Sequence, residues 1–220
     1  MDKDEILRLK QITGLAGLFK DVKFGQAWKP VEDPDKREIV IQYRDLHGNE
    51  INRELFHDFI RHQVVEKCLR REDGRWETKE DPFIDDWSEK DYQTLISCLK
   101  NTVATGGFVH AAFCDGRLKG FVSVEPEFFG GVHRYLDLSS IHVSEDMRGM
   151  GIGRTLFCVA KEWAKEKGAK KLYISAHSAV ETQAFYKAMG CVEAKEYKKE
   201  HVEAEPYDCQ LECLLNLMNL

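Results

Sequence analysis

Three glycines within five positions separate a predicted strand from a predicted helix in the segment SSIHVSEDMRGMGIGRTLF: Gly149, Gly151 and Gly153. Glycine lets the backbone approach a ligand closely, and the start of a helix offers free N–H groups together with about half a unit of positive charge. Arg148 and Arg154 flank these glycines and add positive charge. The turn is therefore predicted to bind the phosphates of a ligand.

Spacing distinguishes between the known kinds of phosphate-binding turn. A Walker loop requires a glycine five positions before Gly153, where this chain has Arg148. A dinucleotide fingerprint starting at Gly149 requires a small residue where Arg154 stands, and it belongs on the first strand of its βαβ unit. A third pattern, Arg or Gln followed by two residues, Gly, one residue and Gly or Ala, matches residues 148–153 throughout.

With this motif, and with FYKAMGC at residues 185–191, the sequence resembles the GNAT superfamily of acyl-CoA-dependent N-acyltransferases. The resemblance extends in element order from about residue 39 to residue 214. It implies an α/β fold with a mixed, mostly antiparallel central sheet flanked by helices, in which a splayed parallel strand pair binds coenzyme A. It also implies acetyl-CoA as the acyl-donor cosubstrate.

The same resemblance assigns the cofactor-binding residues. Backbone N–H groups of the glycine turn would bind the pyrophosphate of coenzyme A, and the end of the preceding strand would pair with its pantetheine arm. Such main-chain pairing makes His142 a positional residue rather than a catalytic one. The predicted set is Ile141, His142, Val143, Arg148, Gly149, Met150, Gly151, Ile152, Gly153 and Arg154.

Two side chains resemble the catalytic groups of the family. An alkylamine is only about one part in a thousand neutral at pH 7, so its attack on a thioester calls for a base. Asp137 corresponds by position to the acidic residue that some members use as general base, directly or through a water. Its alternative role is a buried carboxylate paired with Arg134 or Arg44. Tyr186 matches the tyrosine that protonates the thiolate of coenzyme A or only hydrogen-bonds its sulfur.

Strand alternation places Asp137 on one face with Ile141, unless a bulge intervenes. The family's usual oxyanion donor is the backbone N–H near Val143. Many members have Asn seven residues before the tyrosine, whereas this chain has Ala179 there, and His177 is an alternative polar group facing the cleft.

Hydrophobic periodicity predicts the elements that hold these residues. After a strand at residues 37–46, apolar spacing predicts a helix that ends at Gly74, followed by a polar loop and a second helix over residues 88–102. A hairpin turning at Asp115 and Gly116 and a strand over residues 133–143 precede the glycine turn. A helix to Gly168, a strand at 170–176, a short helix to Gly190 and strands at 191–197 and 207–215 complete the order.

The chain divides into an N-terminal helical extension and connector (residues 1–36) and an acetyltransferase-like domain (residues 37–220). The amphipathic pattern at residues 4–20 predicts a helix that packs on the main fold or on a second subunit, which allows a homodimer. A net charge of -6, from 32 Lys and Arg against 38 Asp and Glu, disfavours nucleic acid as a partner.

Apolar runs are too short to span a membrane, and the charged N-terminus lacks a signal peptide. Seven cysteines without a CxxC spacing fit reduced thiols in a cytoplasmic protein. Cys209 and Cys213 would stand about 13 Å apart on a strand, too far to chelate one zinc, so no metal site is predicted.

The leading hypothesis for the acceptor is the primary amine of a small molecule, such as an antibiotic, a polyamine or an amino-acid derivative, attacking directly in a ternary complex. The acidic residues 81–89 form either a solvated connection or a lip that attracts a cation. The alternatives are acetylation of a protein lysine or N-terminus, and a catalytically silent module that binds coenzyme A.

Overall fold

The computed structural model describes residues 39–215, and the helix predicted at residues 4–20 lies outside this range. The strands are β1 (Ile41–Asp45), β2 (His62–Glu72), β3 (Arg75–Asp86), β4 (Phe108–Cys114), β5 (Arg117–Val124), β6 (Tyr135–Asp137), β7 (Ser140–Val143), β8 (Lys171–Ala176), β9 (Val192–Glu193) and β10 (Cys209–Leu214). The α-helices are α1 (Glu89–Ala104), α2 (Ile152–Glu166), α3 (Val180–Ala188) and α4 (Lys199–Ala204). None of these helices has both the length and the apolar composition needed to cross a lipid bilayer.

The strands form two four-stranded sheets and one separate hairpin. The first sheet has the order β1-β4-β5-β7 and the second has the order β6-β8-β10-β9, while β2 and β3 pair with each other. Every pairing is antiparallel except that of β6 with β8, which is parallel. The prediction of a mixed, mostly antiparallel α/β fold is confirmed.

Helix α2 packs closely on the first sheet because of a glycine in β5. A Cβ atom on Gly120 would stand only 2.8 Å from Ile152 Cγ2 and 3.0 Å from the Leu156 side chain. The buried residues Leu156, Phe157 and Ala160 line the face of α2 that enters the main core. The missing side chain at Gly120 thus fixes the start of α2 directly against the sheet.

The segment between residues 50 and 88 differs from the predicted helix and loop. It forms a short 3₁₀ helix at Glu54–Phe56 and then the hairpin β2–β3. The apolar residues that fit helical spacing belong to two elements, since Phe59 enters the core beside Phe121 whereas Cys68 lies on a strand. Asp73 and Gly74 have φ angles of 48° and 79°, which suit a two-residue hairpin turn rather than a helix end.

A β-bulge interrupts the predicted strand at residues 133–143. The Ser139 N–H donates to the Ser123 carbonyl at 3.1 Å, and Ser140 is also aligned with Ser123, so two residues oppose one. The extra residue reverses the alternation, because Leu138 and Ile141 both pack into the main core. Asp137 therefore does not share a face with Ile141, because the bulge that was the stated exception to that prediction is present.

Candidate active site

The glycine turn leads into helix α2 with its backbone in a conformation that favours glycine. Gly149 and Gly151 have φ angles of 77° and 80°, and no atom lies within 4 Å of a Cβ built on either residue. Gly151 is the N-cap residue of α2, and no side chain caps the helix there. The first-turn N–H groups consequently face open space, an arrangement suited to an anion.

The strand that precedes the turn has a free edge. Leu138 donates its N–H to the Tyr173 carbonyl at 2.9 Å, and after this contact the chain leaves β8 and enters the first sheet as β7. β7 pairs only with β5 among residues 39–215, so its other edge has no strand partner there. Ile141–Val143 can therefore pair with an extended ligand by β-augmentation.

A cleft of about 1130 Å³ lies between this edge, the turn, the end of β8 and α3. Every predicted cofactor-binding residue except Met150 lines the cleft, and so does Tyr186. The Met150 side chain is exposed, and Asp137 is not among the lining residues. The structure thus brings together most of the predicted site and leaves Asp137 outside it.

One end of the cleft carries positive charge. Arg61, at the base of the β2–β3 hairpin, lies there with Arg148 and forms an ion pair with Asp85. Burial and the charges of these two arginines lower the pKa of His142 to about 3, so its imidazole is neutral at physiological pH. The His142 ring centroid lies 4.7 Å from that of Trp87, which supports a positional role.

Tyr186 projects from α3 into the cleft and is 6% exposed. Its ring packs against Phe185 and Phe157, with centroids 5.2 and 6.2 Å away. Burial, with smaller contributions from Cys191 and Asp208, raises the pKa of the Tyr186 phenol well above its ordinary value. The phenol consequently stays protonated, which favours hydrogen bonding to a thiolate over complete proton transfer.

Asp137 lies on the other face of the sheet with 2% of its surface exposed. Its Oδ2 accepts hydrogen bonds from His201 Nε2 at 2.5 Å and from Lys198 Nζ at 2.9 Å. Its Oδ1 is buried with no partner among the described residues. The bulge thus separates Asp137 from the cleft and pairs it with a lysine and a histidine instead of the predicted arginine.

We expect Asp137→Asn to destabilise the protein by about 2 kcal/mol, because it removes charged hydrogen bonds in a buried place. Burial opposes ionisation, but His201 and Lys198 outweigh it and hold the pKa of Asp137 below its ordinary value. This stabilisation is present above the unfolded pKa and is lost as pH falls through the folded pKa. Melting temperatures across the acid range should fall less steeply in the variant, and parallel curves would contradict this role.

The acidic residues 81–89 do not form a free anionic lip. Most of this segment is strand β3 rather than a loop, and Asp81, Asp85 and Glu89 form ion pairs with Arg70, Arg61 and Arg53. The hairpin also covers the start of α3. The main chain of Cys68 forms an isolated antiparallel β-bridge with that of Ala179, and Arg70 Nη1 donates to Ser178 Oγ at 2.6 Å. Ala179 is fully buried, and its N–H donates to His177 Nδ1 at 3.1 Å.

The far end of the cleft contains Ser175, His177, Glu205 and Asp208. Of these residues, only His177 was noted from the sequence. Asp208 directly precedes β10, whose alternating pattern was predicted, but only the pairing of β10 with β8 brings it to the cleft. Within residues 39–215, no cluster of three or more His, Cys, Asp or Glu side chains is arranged to hold a metal ion.

A family model, the acetyltransferase (GNAT) family, matches residues 72–191, which is just over half of the chain. The chain belongs to this family and is an acyltransferase. A second model, an IbrB-like C-terminal HTH domain, matches residues 1–21, outside the described range. No curated protein sequence matches the chain.

Solved structures share the fold. Nourseothricin acetyltransferase is similar with a TM-score of 0.59 and 18% identity over 80% of this chain and 98% of that one. A protein from Bacillus anthracis assigned as a streptothricin acetyltransferase, in complex with acetyl coenzyme A, has a TM-score of 0.57 and 17% identity. The match covers 79% of this chain and 96% of that one. The paiA N-acetyltransferase from Thermoplasma acidophilum, in complex with coenzyme A, has a TM-score of 0.50 and 14% identity. The match covers 80% of this chain and 99% of that one.

Proposed function

We propose that this protein transfers the acetyl group of acetyl-CoA to a primary amine of a small molecule by direct attack in a ternary complex. The observation that carries the proposal is one cleft that joins an uncapped glycine turn, a free strand edge and Tyr186. These are the features needed to hold a pyrophosphate, an extended pantetheine arm and a thiolate. Acetyl-CoA supplies the acetyl thioester.

The residues that would hold acetyl-CoA are those at the positive end of the cleft. The N–H groups from Gly149 to Arg154 bind its pyrophosphate, and Arg148 and Arg61 add charge. The main chain of Ile141–Val143 pairs with its pantetheine arm, and the N–H near Val143 stabilises the oxyanion. The Tyr186 hydroxyl donates a hydrogen bond to the departing sulfur.

The shape of the site supports a small acceptor. The cleft is lined by the base of the β2–β3 hairpin at one side and by Ser175, Glu205 and Asp208 beyond the end of β8. Proteins described as nourseothricin and streptothricin acetyltransferases are among those of the same fold. An antibiotic, a polyamine or an amino-acid-like amine is the acceptor class that fits best.

Binding of acetyl-CoA is expected to raise the melting temperature of the protein. A ligand that binds only the folded state at 100 times its Kd stabilises it by about 2.7 kcal/mol. Differential scanning fluorimetry with increasing acetyl-CoA measures the shift, and coenzyme A without the acetyl group serves as a comparison. The absence of any shift at saturating acetyl-CoA would refute the cofactor assignment.

A panel of acceptors identifies the substrate class. Free thiol released from acetyl-CoA is followed with small alkylamines in one set of assays and with lysine-bearing or free-N-terminus peptides in another. Faster release with small amines supports the proposal, whereas release with peptides alone indicates a protein acetyltransferase. If no acceptor releases thiol faster than buffer does, although acetyl-CoA binds, the chain is a silent coenzyme A-binding module.

A further inference from the structure

The far end of the cleft is built by the pairing of β8 with β10. In this antiparallel register Gln210 is the direct partner of Ser175, and Cys209 is the partner of Ala176. Opposed residues in adjacent strands project to the same face, so Ser175 and Gln210 lie side by side. Asp208, one residue before β10, follows them to the edge of the cleft and is half-buried.

A directed chain of hydrogen bonds ends at the Asp208 carboxylate. The Tyr173 hydroxyl donates to Gln210 Oε1, and Gln210 Nε2 donates to Ser175 Oγ at 3.0 Å. Ser175 Oγ then donates to Asp208 Oδ2 at 3.1 Å. Because each group in the chain donates toward Asp208, this carboxylate is fixed as an acceptor before any ligand arrives.

The other carboxylates that line the cleft are placed differently. Asp85 is paired with Arg61, and Glu145 is paired with His62. Glu181 and Glu205 are exposed to solvent. Asp208 is the lining carboxylate that is both half-buried and held in place by a neutral hydrogen-bond donor, the Ser175 hydroxyl, and its charge also acts on the Tyr186 phenol.

We propose that Asp208 is the catalytic carboxylate that binds the ammonium group of the acceptor and removes its proton. This inference rests on the proposed acetyltransferase function. Ser175 and Gln210 are positioning residues, and the acceptor class is an alkylamine that is charged at neutral pH. A negative group at this end and arginines at the other give the cleft opposite poles, one for the amine and one for the cofactor phosphates.

The acceptor nitrogen loses two protons in the reaction, and each has a destination. Asp208 takes one proton from the ammonium group, and the nitrogen lone pair then forms a bond to the thioester carbonyl carbon. The carbon–sulfur bond breaks, and its electron pair leaves with the sulfur as a thiolate that accepts a hydrogen bond from the Tyr186 hydroxyl. The second nitrogen proton is released as the amide forms and converts the thiolate to the free thiol, while Asp208 returns its proton to solvent.

The environment of Asp208 suits this role. Burial, with a smaller contribution from the charge of Glu205, raises the pKa of Asp208 above its ordinary value, against the opposing effects of the Ser175 hydroxyl, His177 and His201. A higher pKa makes a carboxylate a better proton acceptor at neutral pH.

The test compares Asp208→Asn with Asp115→Asn, an isosteric change at an exposed hairpin turn. With an alkylamine identified from the acceptor panel, Asp208→Asn should lower kcat/KM by about 100-fold or more, since general bases contribute at least this much. The KM for acetyl-CoA should not change. The rate of Asp208→Asn should rise with pH up to the pKa of the free amine, because only neutral amine from solution can react.

An aromatic amine, which is uncharged at neutral pH, provides a second readout. Its acetylation should be much less sensitive to Asp208→Asn than that of the alkylamine, and a merely structural role of Asp208 would lower both equally. Ser175→Ala keeps the carboxylate and should give a smaller loss, which covers the case in which Asp208→Asn does not fold. If the wild-type protein is active and Asp208→Asn has the same rates and the same pH profile, this inference alone is overturned. Absence of activity in the wild-type protein overturns the proposed function instead.

Discussion

Gly151→Val is expected to weaken acetyl-CoA binding by about 10- to 100-fold. This is the effect of losing one hydrogen bond to a charged group, which contributes about 1.5–3 kcal/mol. The φ angle of Gly151 is 80°, a conformation that a β-branched residue adopts only under strain. Relief of that strain rotates the peptide units of the turn and moves their N–H groups away from the pyrophosphate. Isothermal titration of acetyl-CoA measures the loss directly.

Gly116 provides the matched control for this experiment. It has a φ angle of 75° in the turn between β4 and β5, and a Cβ on it would also meet nothing within 4 Å. Gly116→Val therefore carries a comparable backbone cost of about 1–2 kcal/mol in stability at a place remote from the cleft. Equal losses of acetyl-CoA affinity in the two variants would show that global destabilisation, and not the turn, is responsible.

Tyr186→Phe is expected to reduce turnover by about 100-fold with little change in acetyl-CoA affinity, because losing one fixed hydrogen-bond donor to a developing negative charge typically costs at least this factor. The aromatic ring keeps its contacts with Phe157 and Phe185, and only the hydroxyl that faces the cleft is lost. The departing thiolate then leaves without a hydrogen-bond donor. Steady-state kinetics with saturating acetyl-CoA separate the effect on kcat from that on KM.

Tyr92→Phe is a suitable comparison. The Tyr92 hydroxyl donates to the Phe59 carbonyl at 2.8 Å in the core beneath α1, and Tyr92 does not itself line the cleft, although its ring packs against the cleft residue Trp87. Its loss should lower the melting temperature without reducing turnover at a temperature where the protein is folded. Wild-type turnover in Tyr186→Phe would remove the phenol from the mechanism and leave the thiolate to depart unassisted.

The glycine turn and the strand before it, the proposed cofactor half of the site, could be located from sequence because their determinants are local. Positive φ angles at Gly149 and Gly151, the start of α2 and the preceding strand all lie within a short segment. A spacing pattern along the chain is a sufficient description of such a turn. Most of the element order after residue 88 follows for the same reason, since hairpins and capped helices are short-range structures, but the break between β6 and β7 and the short helix α4 were not predicted.

The acceptor half could not be predicted in this way because its determinants are distant in sequence. Asp208 reaches the cleft through the pairing of β10 with β8, and Arg61 reaches it through a hairpin whose apolar residues also fit a helical period. Short strands with mixed polarity give an ambiguous periodicity, and packing against the core decides between the two structures. The bulge adds one residue to the strand and turns Asp137 away from the cleft, and no residue propensity predicts a bulge at this position.

The bulge at Ser139 and Ser140 also affects how sequences of this family are compared. Counted back from the glycine motif, Asp137 stands at the position that the resemblance to the family assigns to a general base. In space it lies on the opposite side of the sheet, bonded to His201 and Lys198. A matching position in the sequence therefore does not establish a matching role in this strand. The position of the bulge relative to the glycine motif has to be known before a role is assigned to Asp137.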